Sequence, residues 1–105
     1  MSRRADTPSE EPQARRLFFA RKALGLSQAE MAREMGVEPQ TYNPWEKGGR
    51  NRFPSDDALH RLWVNQHIPP EWIKYDLPGR LSLDLVIKLV ALGAMPAPPE
   101  LRSPA

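Results

Sequence analysis

Two carboxamides, Gln40 and Asn43, stand three residues apart and just ahead of three bases, Lys47, Arg50 and Arg52. A carboxamide carries a donor and an acceptor side by side, the pattern that matches N6 and N7 on the major-groove edge of adenine. Lysine and arginine suit phosphate oxygens, and each phosphate they neutralise releases counterions and steepens the salt dependence of binding. The competing reading of Gln40 and Asn43 is plainer, as polar residues that only face water. Which one applies depends on the elements that hold this stretch.

Those elements read as helices throughout. From Gln13 to Leu24 the apolar positions Ala14, Leu17, Ala20 and Leu24 recur at helical spacing, and Gly25 closes the helix. Ser27 with Glu30 three residues on is a capping box, which predicts a second helix from Gln28 to Met35 with Ala29, Met31, Ala32 and Met35 inward. Gly36 ends it. Pro39 suits the first position of a third helix, Pro39–Lys47, because its missing N–H is not needed there. Two short helices joined by a glycine-containing turn have helix-turn-helix geometry. Ala32, being small, is expected where the two helices cross. Val37, Tyr42 and Trp45 fall on a buried face, which leaves Glu38, the Pro39 ring, Gln40 and Asn43 outward at the N-terminal end of the third helix.

Beyond Gly48–Gly49, Ser55 caps a fourth helix, with Asp56 and Asp57 in its first turn and Ala58, Leu59, Leu62 and Trp63 as its buried stripe. A fifth begins near Pro70 and offers Trp72, Ile73 and Tyr75 to the core. After Leu77–Pro78–Gly79, Ser82 caps a sixth, with Leu85, Val86, Leu89, Val90 and Leu92 on an apolar face. Residues 1–12 are polar and aperiodic, an expected disordered arm; residues 13–93 form the helix-turn-helix domain; and residues 94–105, with four prolines, an expected disordered tail.

Composition narrows the function classes. The 105 residues have no cysteine, which excludes disulfide frameworks and thiolate metal sites, and no apolar run long enough for a bilayer. The N-terminus has no apolar stretch of the signal-peptide kind, so the expected location is the cytoplasm, away from membranes. The net charge of +2 is unevenly spread: residues 15–52 carry eight bases against four acids, which favours an anionic partner. His60 and His67 are seven apart with no acid or cysteine at ligand spacing, so neither a metal nor a catalytic site is expected. No serine elbow, phosphate-binding glycine loop or cofactor fingerprint is present, and neither an enzyme nor a cofactor is predicted.

The run ARKALGLSQAEMAREMGVEPQTYNPWEKG resembles the helix-turn-helix of the phage Cro/CI repressor superfamily, also called the xenobiotic-response-element type. The likeness lies in Arg21 through Gln28, in Ala32, in Gly36–Val37 and in the Trp45–Glu46–Lys47–Gly48 ending. Phe53–Pro54, Trp72–Ile73 and Leu81–Ser82–Leu83–Asp84 extend it towards a bacterial subgroup with an added terminal helix, over about residues 14–92. The resemblance implies a compact all-α, lambda-repressor-like DNA-binding domain of five to six helices with an added C-terminal helix. It implies double-stranded DNA as the partner, with the N-terminal end of the third helix in the major groove, so that Glu38, Pro39, Gln40 and Asn43 read bases. Gln28 matches a phosphate clamp, with Ser27, Thr41, Lys47, Arg50 and Arg52 as further backbone contacts, and Arg21 with Glu46 matches a structural ion pair.

Three departures accompany the likeness. Pro44 falls inside the third helix, which predicts either a helix kinked after Asn43 or an altered recognition geometry. No arginine, the usual reader of guanine, lies in that helix. Glu38 stands where a small capping residue is commoner, and it repels phosphate unless it reads a cytosine amino group. Proteins of this kind and size commonly use two half-sites, so a homodimer is expected. At most one of Phe18 and Phe19 fits the inner face of the first helix, and the other either packs under the sixth helix or lies in a subunit interface; the apolar stripe of the sixth helix likewise either caps the monomer core or pairs with a second chain. The competing function is a protein-interaction module, or an antitoxin, docking a partner through the sixth helix.

Overall fold

Proline and serine alternate at the starts of the helices. The computed structural model describes residues 7–98, with α1 (Pro12–Leu24), α2 (Gln28–Glu34), α3 (Pro39–Lys47), α4 (Asp56–Gln66), α5 (Pro70–Tyr75) and α6 (Leu83–Ala91). Pro12, Pro39 and Pro70 open α1, α3 and α5, where a proline surrenders no helical hydrogen bond. Ser27, Ser55 and Ser82 cap α2, α4 and α6, accepting from the N–H groups of Glu30, Ala58 and Leu85 at 3.1, 3.1 and 3.2 Å. Glu30 returns the bond to Ser27 N–H at 2.8 Å, completing the capping box. No strand occurs among the described residues.

The bend between α2 and α3 needs Gly36. Its φ of 75° is left-handed, and a Cβ there would lie 2.6 Å from Cδ of Arg61. Gly36 N–H and Val37 N–H return to the carbonyls of Arg33 and Ala32 at 3.1 and 3.0 Å, closing α2 with its last carbonyls satisfied.

α1 is the pillar of the fold, packed against α3, α5 and α6, while α2 packs on α3 and α4. Leu17, Ala20, Met31, Ala32, Met35, Tyr42, Leu62, Ile68, Trp72, Ile73 and Leu89 have no solvent-accessible surface. Burial on α1 is wider than the periodicity of its sequence predicts. Phe18 and Phe19 are both inside, edge to face with centroids 5.2 Å apart, whereas at most one of them was expected on the inner face of α1. The guanidinium of Arg15 and the ammonium of Lys22 lie over their rings and roof them from solvent. Three further expectations shift. Ala29 is exposed because it lies past the edge of the buried arc of α2 that Met31, Ala32 and Met35 form, and Tyr75 is exposed at the end of α5. α6 buries only Leu85 and Leu89 fully; Val86 and Val90 are half-buried and Leu92 is exposed.

The arm and tail expected from the sequence lie partly outside the described residues, at 1–6 and 99–105. Within them, Ser9 and Glu11 rest against Gly48, whose added Cβ would meet Glu11 Cγ at 2.7 Å. Ala94 and Met95, placed by the sequence in the tail, pack against the core, and Ala94 N–H bonds to the Leu89 carbonyl at 2.9 Å.

Candidate nucleic-acid interface

The outer stripe of α3 is set by what its inner stripe does. Tyr42, Trp45 and Glu46 are buried, so the opposite side carries Gln40 and Lys47, both exposed, with Pro44 between them at helical spacing. Glu38 and Thr41 are also exposed, and the Pro39 ring is half-buried. Glu38 is the N-cap by backbone alone: its carbonyl accepts from Thr41 and Tyr42 N–H at 2.9 and 3.0 Å, and its side chain makes no cap bond. Asn43 departs from its expected outward position. It sits at the boundary of the inner face, half-buried, with Oδ1 shielded from water and unpartnered.

Helix α3 does not break at Pro44. It continues to Lys47, and Gly48 N–H still reaches the Pro44 carbonyl at 3.1 Å. The reason is positional. Proline withholds an N–H from the carbonyl one turn back, at Gln40, and this pair lies on the side of α3 towards water, which can solvate that carbonyl.

A buried charge network fixes the helix against its neighbours. Glu46 accepts Nε and Nη2 of Arg21 at 2.6 and 3.1 Å, Nε2 of Gln28 at 3.0 Å and the Tyr42 hydroxyl. Arg21 sends Nη1 to the Leu26 carbonyl at 3.0 Å. Four bonds on one carboxylate are what burial demands, since a charge taken out of water is tolerable only when paired and fully hydrogen-bonded. Burial opposes the Arg21 charge, but the bonds and charge of Glu46 outweigh it and raise the guanidinium above its usual range. Burial first, and Glu46 second, push the Tyr42 hydroxyl well above the ordinary tyrosine value. The network joins the end of α1, the start of α2 and the last turn of α3. It therefore sets the angle at which α3 presents Gln40 and Lys47.

Arg21 and Glu46, the two residues that the family likeness pairs, meet at 2.6 Å. Two companions of this ion pair have roles the sequence reading missed. Tyr42 was read as core packing alone, yet its i,i+4 spacing to Glu46 already allows the bond its hydroxyl makes. Gln28 was read as a phosphate clamp, and one of its two amide hydrogens is committed to Glu46. It still lies at the rim of a shallow recess formed with Lys22, Gly25, Leu26, Ser27 and Glu30 at the start of α2.

The basic loop after α3 folds back on itself. Asn51 takes a left-handed φ of 60°, Arg52 N–H meets the Gly49 carbonyl at 3.3 Å, and Arg52 Nη1 leans to the Gly48 carbonyl at 3.4 Å. Lys47, Arg50 and Arg52 are all exposed beside the end of α3. His60 is exposed on α4, and His67 ends that helix with its ring against Trp63, 5.6 Å between centroids. No metal-binding group of His, Cys, Asp and Glu forms among the described residues. No helix there is long and apolar enough to cross a membrane.

Compared with known proteins, residues 19–59 match the family model described as helix-turn-helix. No curated protein and no solved structure matches the chain.

Proposed function

We propose that the protein, whose residues 19–59 match the helix-turn-helix family model and resemble the Cro/CI type, is a sequence-specific transcriptional regulator acting on double-stranded DNA in the cytoplasm. The observation that carries this reading is the outer stripe of α3, where Gln40 and Lys47 stand exposed on a helix clamped from behind by the Arg21–Glu46 network. A recognition helix must be held rigidly to discriminate base edges, and that network supplies the rigidity.

In this proposal α3 enters the major groove by its N-terminal end. Gln40 reads an adenine edge, Glu38 accepts from a cytosine amino group, and the Pro39 ring packs on thymine methyls. Asn43 reaches a base only by turning its amide out of the half-buried position it holds here. Gln28 gives its second amide hydrogen to a phosphate, supported by the Ser27 and Thr41 hydroxyls, while Lys47, Arg50 and Arg52 neutralise phosphates beyond the C-terminal end. Two copies on two half-sites supply the affinity that one short helix lacks. A protein-interaction module or antitoxin is the second reading, favoured by the exposed Leu83 and Ile87 of α6.

The test is titration of the full chain against random-sequence duplex DNA at low and moderate salt, followed by selection of preferred sites. The expected result is binding that weakens steeply with salt and enriches a palindrome. Gln40→Ala should then lose about 1–3 kcal/mol of discrimination at one base pair, while Lys47→Ala weakens all sequences alike and lowers the salt slope by about one. Absence of binding at low salt defeats the regulator reading and favours the interaction module.

A further inference from the structure

The segment ahead of α1 crosses the far end of α3. Glu11 precedes Pro12, and the proline keeps it extended, with φ −70° and ψ 126°. Its N–H bonds to Ser9 Oγ at 3.0 Å, and its carbonyl accepts from Arg15 N–H at 2.8 Å. Residues 7–11 therefore leave α1 in a fixed direction, and Gly48 shows where it takes them. A Cβ built on Gly48 would lie 2.7 Å from Glu11 Cγ, 2.8 Å from Glu11 Cβ and 3.0 Å from Ser9 Oγ. Gly48 is buried under this arm, although Lys47 before it and Arg50 beyond it are exposed.

The basic loop converges on the same glycine. Arg52 Nη1 leans to the Gly48 carbonyl at 3.4 Å, Lys47 is its chain neighbour and Arg50 follows two residues on. The charged side chains that the described arm brings here are acidic: Glu10 and Glu11, both exposed, with no base between Thr7 and Gln13. The Glu11 carboxylate and the Arg52 guanidinium thus lie apart by a distance on the order of the screening length, about 10 Å at 0.1 M salt.

We propose that residues 7–11 are an acidic arm that occupies the phosphate-contacting surface at the end of α3 and restrains DNA binding until a duplex displaces it. Carboxylates beside Lys47, Arg50 and Arg52 offset the charge that those bases offer to a phosphate. A duplex entering this surface brings its own oxygens against Glu10 and Glu11, and the arm must leave. The cost falls on backbone contacts, which carry no sequence information, so it lowers affinity for every sequence alike. Gly48 permits the contact, because a Cβ there would collide with the arm. The inference rests on the duplex-binding reading above for the identity of the displacing ligand, but not for the docking of the arm.

The chain lacks cysteine, so Thr7→Cys provides a single site for a nitroxide spin label. Without DNA at low salt the label should report a restricted arm. Duplex DNA should release it, as should heparin, a polyanion without bases. Glu10→Gln with Glu11→Gln should release it with no polyanion present. Glu11 makes no side-chain cap bond, so this exchange should leave the melting temperature unchanged. The E10Q/E11Q chain should bind random duplex about five- to tenfold more tightly than the wild type at low salt, and the gain should fade as salt screens it. Its preference among sequences should stay that of the wild type. Asp76→Asn with Asp84→Asn makes the same change in net charge on exposed acids, at the end of α5 and the start of α6, and should alter affinity by less than about twofold. A label already mobile at low salt without polyanion, or one still restricted on bound duplex, overturns the arm. An E10Q/E11Q chain that gains no more affinity than the D76N/D84N chain overturns it too. A chain whose arm is docked, and is released by heparin and by the two Gln substitutions, but that binds no duplex keeps the docked arm and sinks the regulator reading.

Discussion

Two arginine–carboxylate forks lie at different places in this molecule, with the same chemistry and different surroundings. At the junction of α1, α2 and α3, Arg21 and Glu46 meet at 2.6 Å with side chains 6% and 4% exposed. Between the first turn of α5 and the loop that follows it, Glu71 and Arg80 meet at 2.7 Å with side chains 30% and 51% exposed, and the Arg80 guanidinium stacks 4.1 Å over the Trp63 ring. The geometry of the two pairs is nearly equal, so the difference between them is water. Solvent screens the exposed fork, and its loss leaves both groups hydrated. The buried fork has no such refuge, and it gathers Tyr42 and Gln28 around it because a desolvated carboxylate must find every partner within the protein. Hydrogen bonding is thus dense where α3 has to be aimed. The remainder of the fold relies on apolar packing and single cross-links between helices, such as the Arg16 bond from α1 to the Ile73 carbonyl of α5.

The largest effect should come from breaking the buried fork on one side. Glu46→Ala strands the Arg21 guanidinium, the Tyr42 hydroxyl and the Gln28 amide, and should destabilise the fold by about 3–5 kcal/mol in urea denaturation. Replacing both partners, Arg21→Met with Glu46→Leu, should recover most of that stability, since no unpaired charge is left buried. DNA affinity should not recover with it if the network serves to orient α3. A double variant that binds DNA like the wild type would show the network to be stabilising only.

Pro44 comes next, with the opposite sign. Pro44→Ala restores an N–H for the Gln40 carbonyl and should raise stability by about 2 kcal/mol, less than the full interior penalty because that carbonyl faces water. Unchanged stability would mean that α3 already accommodates the ring without loss.

Tyr42→Phe should cost about 1.5 kcal/mol at neutral pH, as one of four bonds to a charged acceptor disappears. It carries a distinct pH signature. The folded hydroxyl titrates well above its unfolded value. The stability linked to it is therefore complete below about pH 10, where the unfolded chain is also protonated, and falls as the unfolded chain ionises above that point. Melting curves of the wild type should slope downward above that pH, and those of Tyr42→Phe should slope less.

The sequence made the helices legible because their ends are written in local chemistry: the Ser27–Glu30 box, the proline starts and Gly36 each act within a turn of themselves. The ion pair was legible only through the family likeness, since residues 25 apart in the chain carry no local sign of contact. Asn43 and the two phenylalanines were misjudged for a common reason. Periodicity gives the direction of a helix face but not its width, and α1, with neighbours on several sides, is buried over most of its circumference. Asn43 lies at the margin of such a face, where spacing alone does not separate inside from outside.

The smallest effect belongs to the exposed fork. Hydrogen bonds from Arg80 hold the Glu71 carboxyl down to about 2, well below the ordinary glutamate value. A depressed carboxylate stabilises the fold above its unfolded pKa, so this contribution should be intact near neutrality. It should disappear as the pH falls from about 4.3 towards 2. Its size is limited by exposure, because screened surface pairs contribute little, and Glu71→Gln should lower the melting temperature by only about 2 °C at neutral pH. The decisive measurement is salt. Moderate salt should erase the difference between Glu71→Gln and the wild type, whereas the Glu46→Ala deficit should persist, because ions cannot enter the buried site. If both differences shrank alike with salt, burial would not be what separates the two forks.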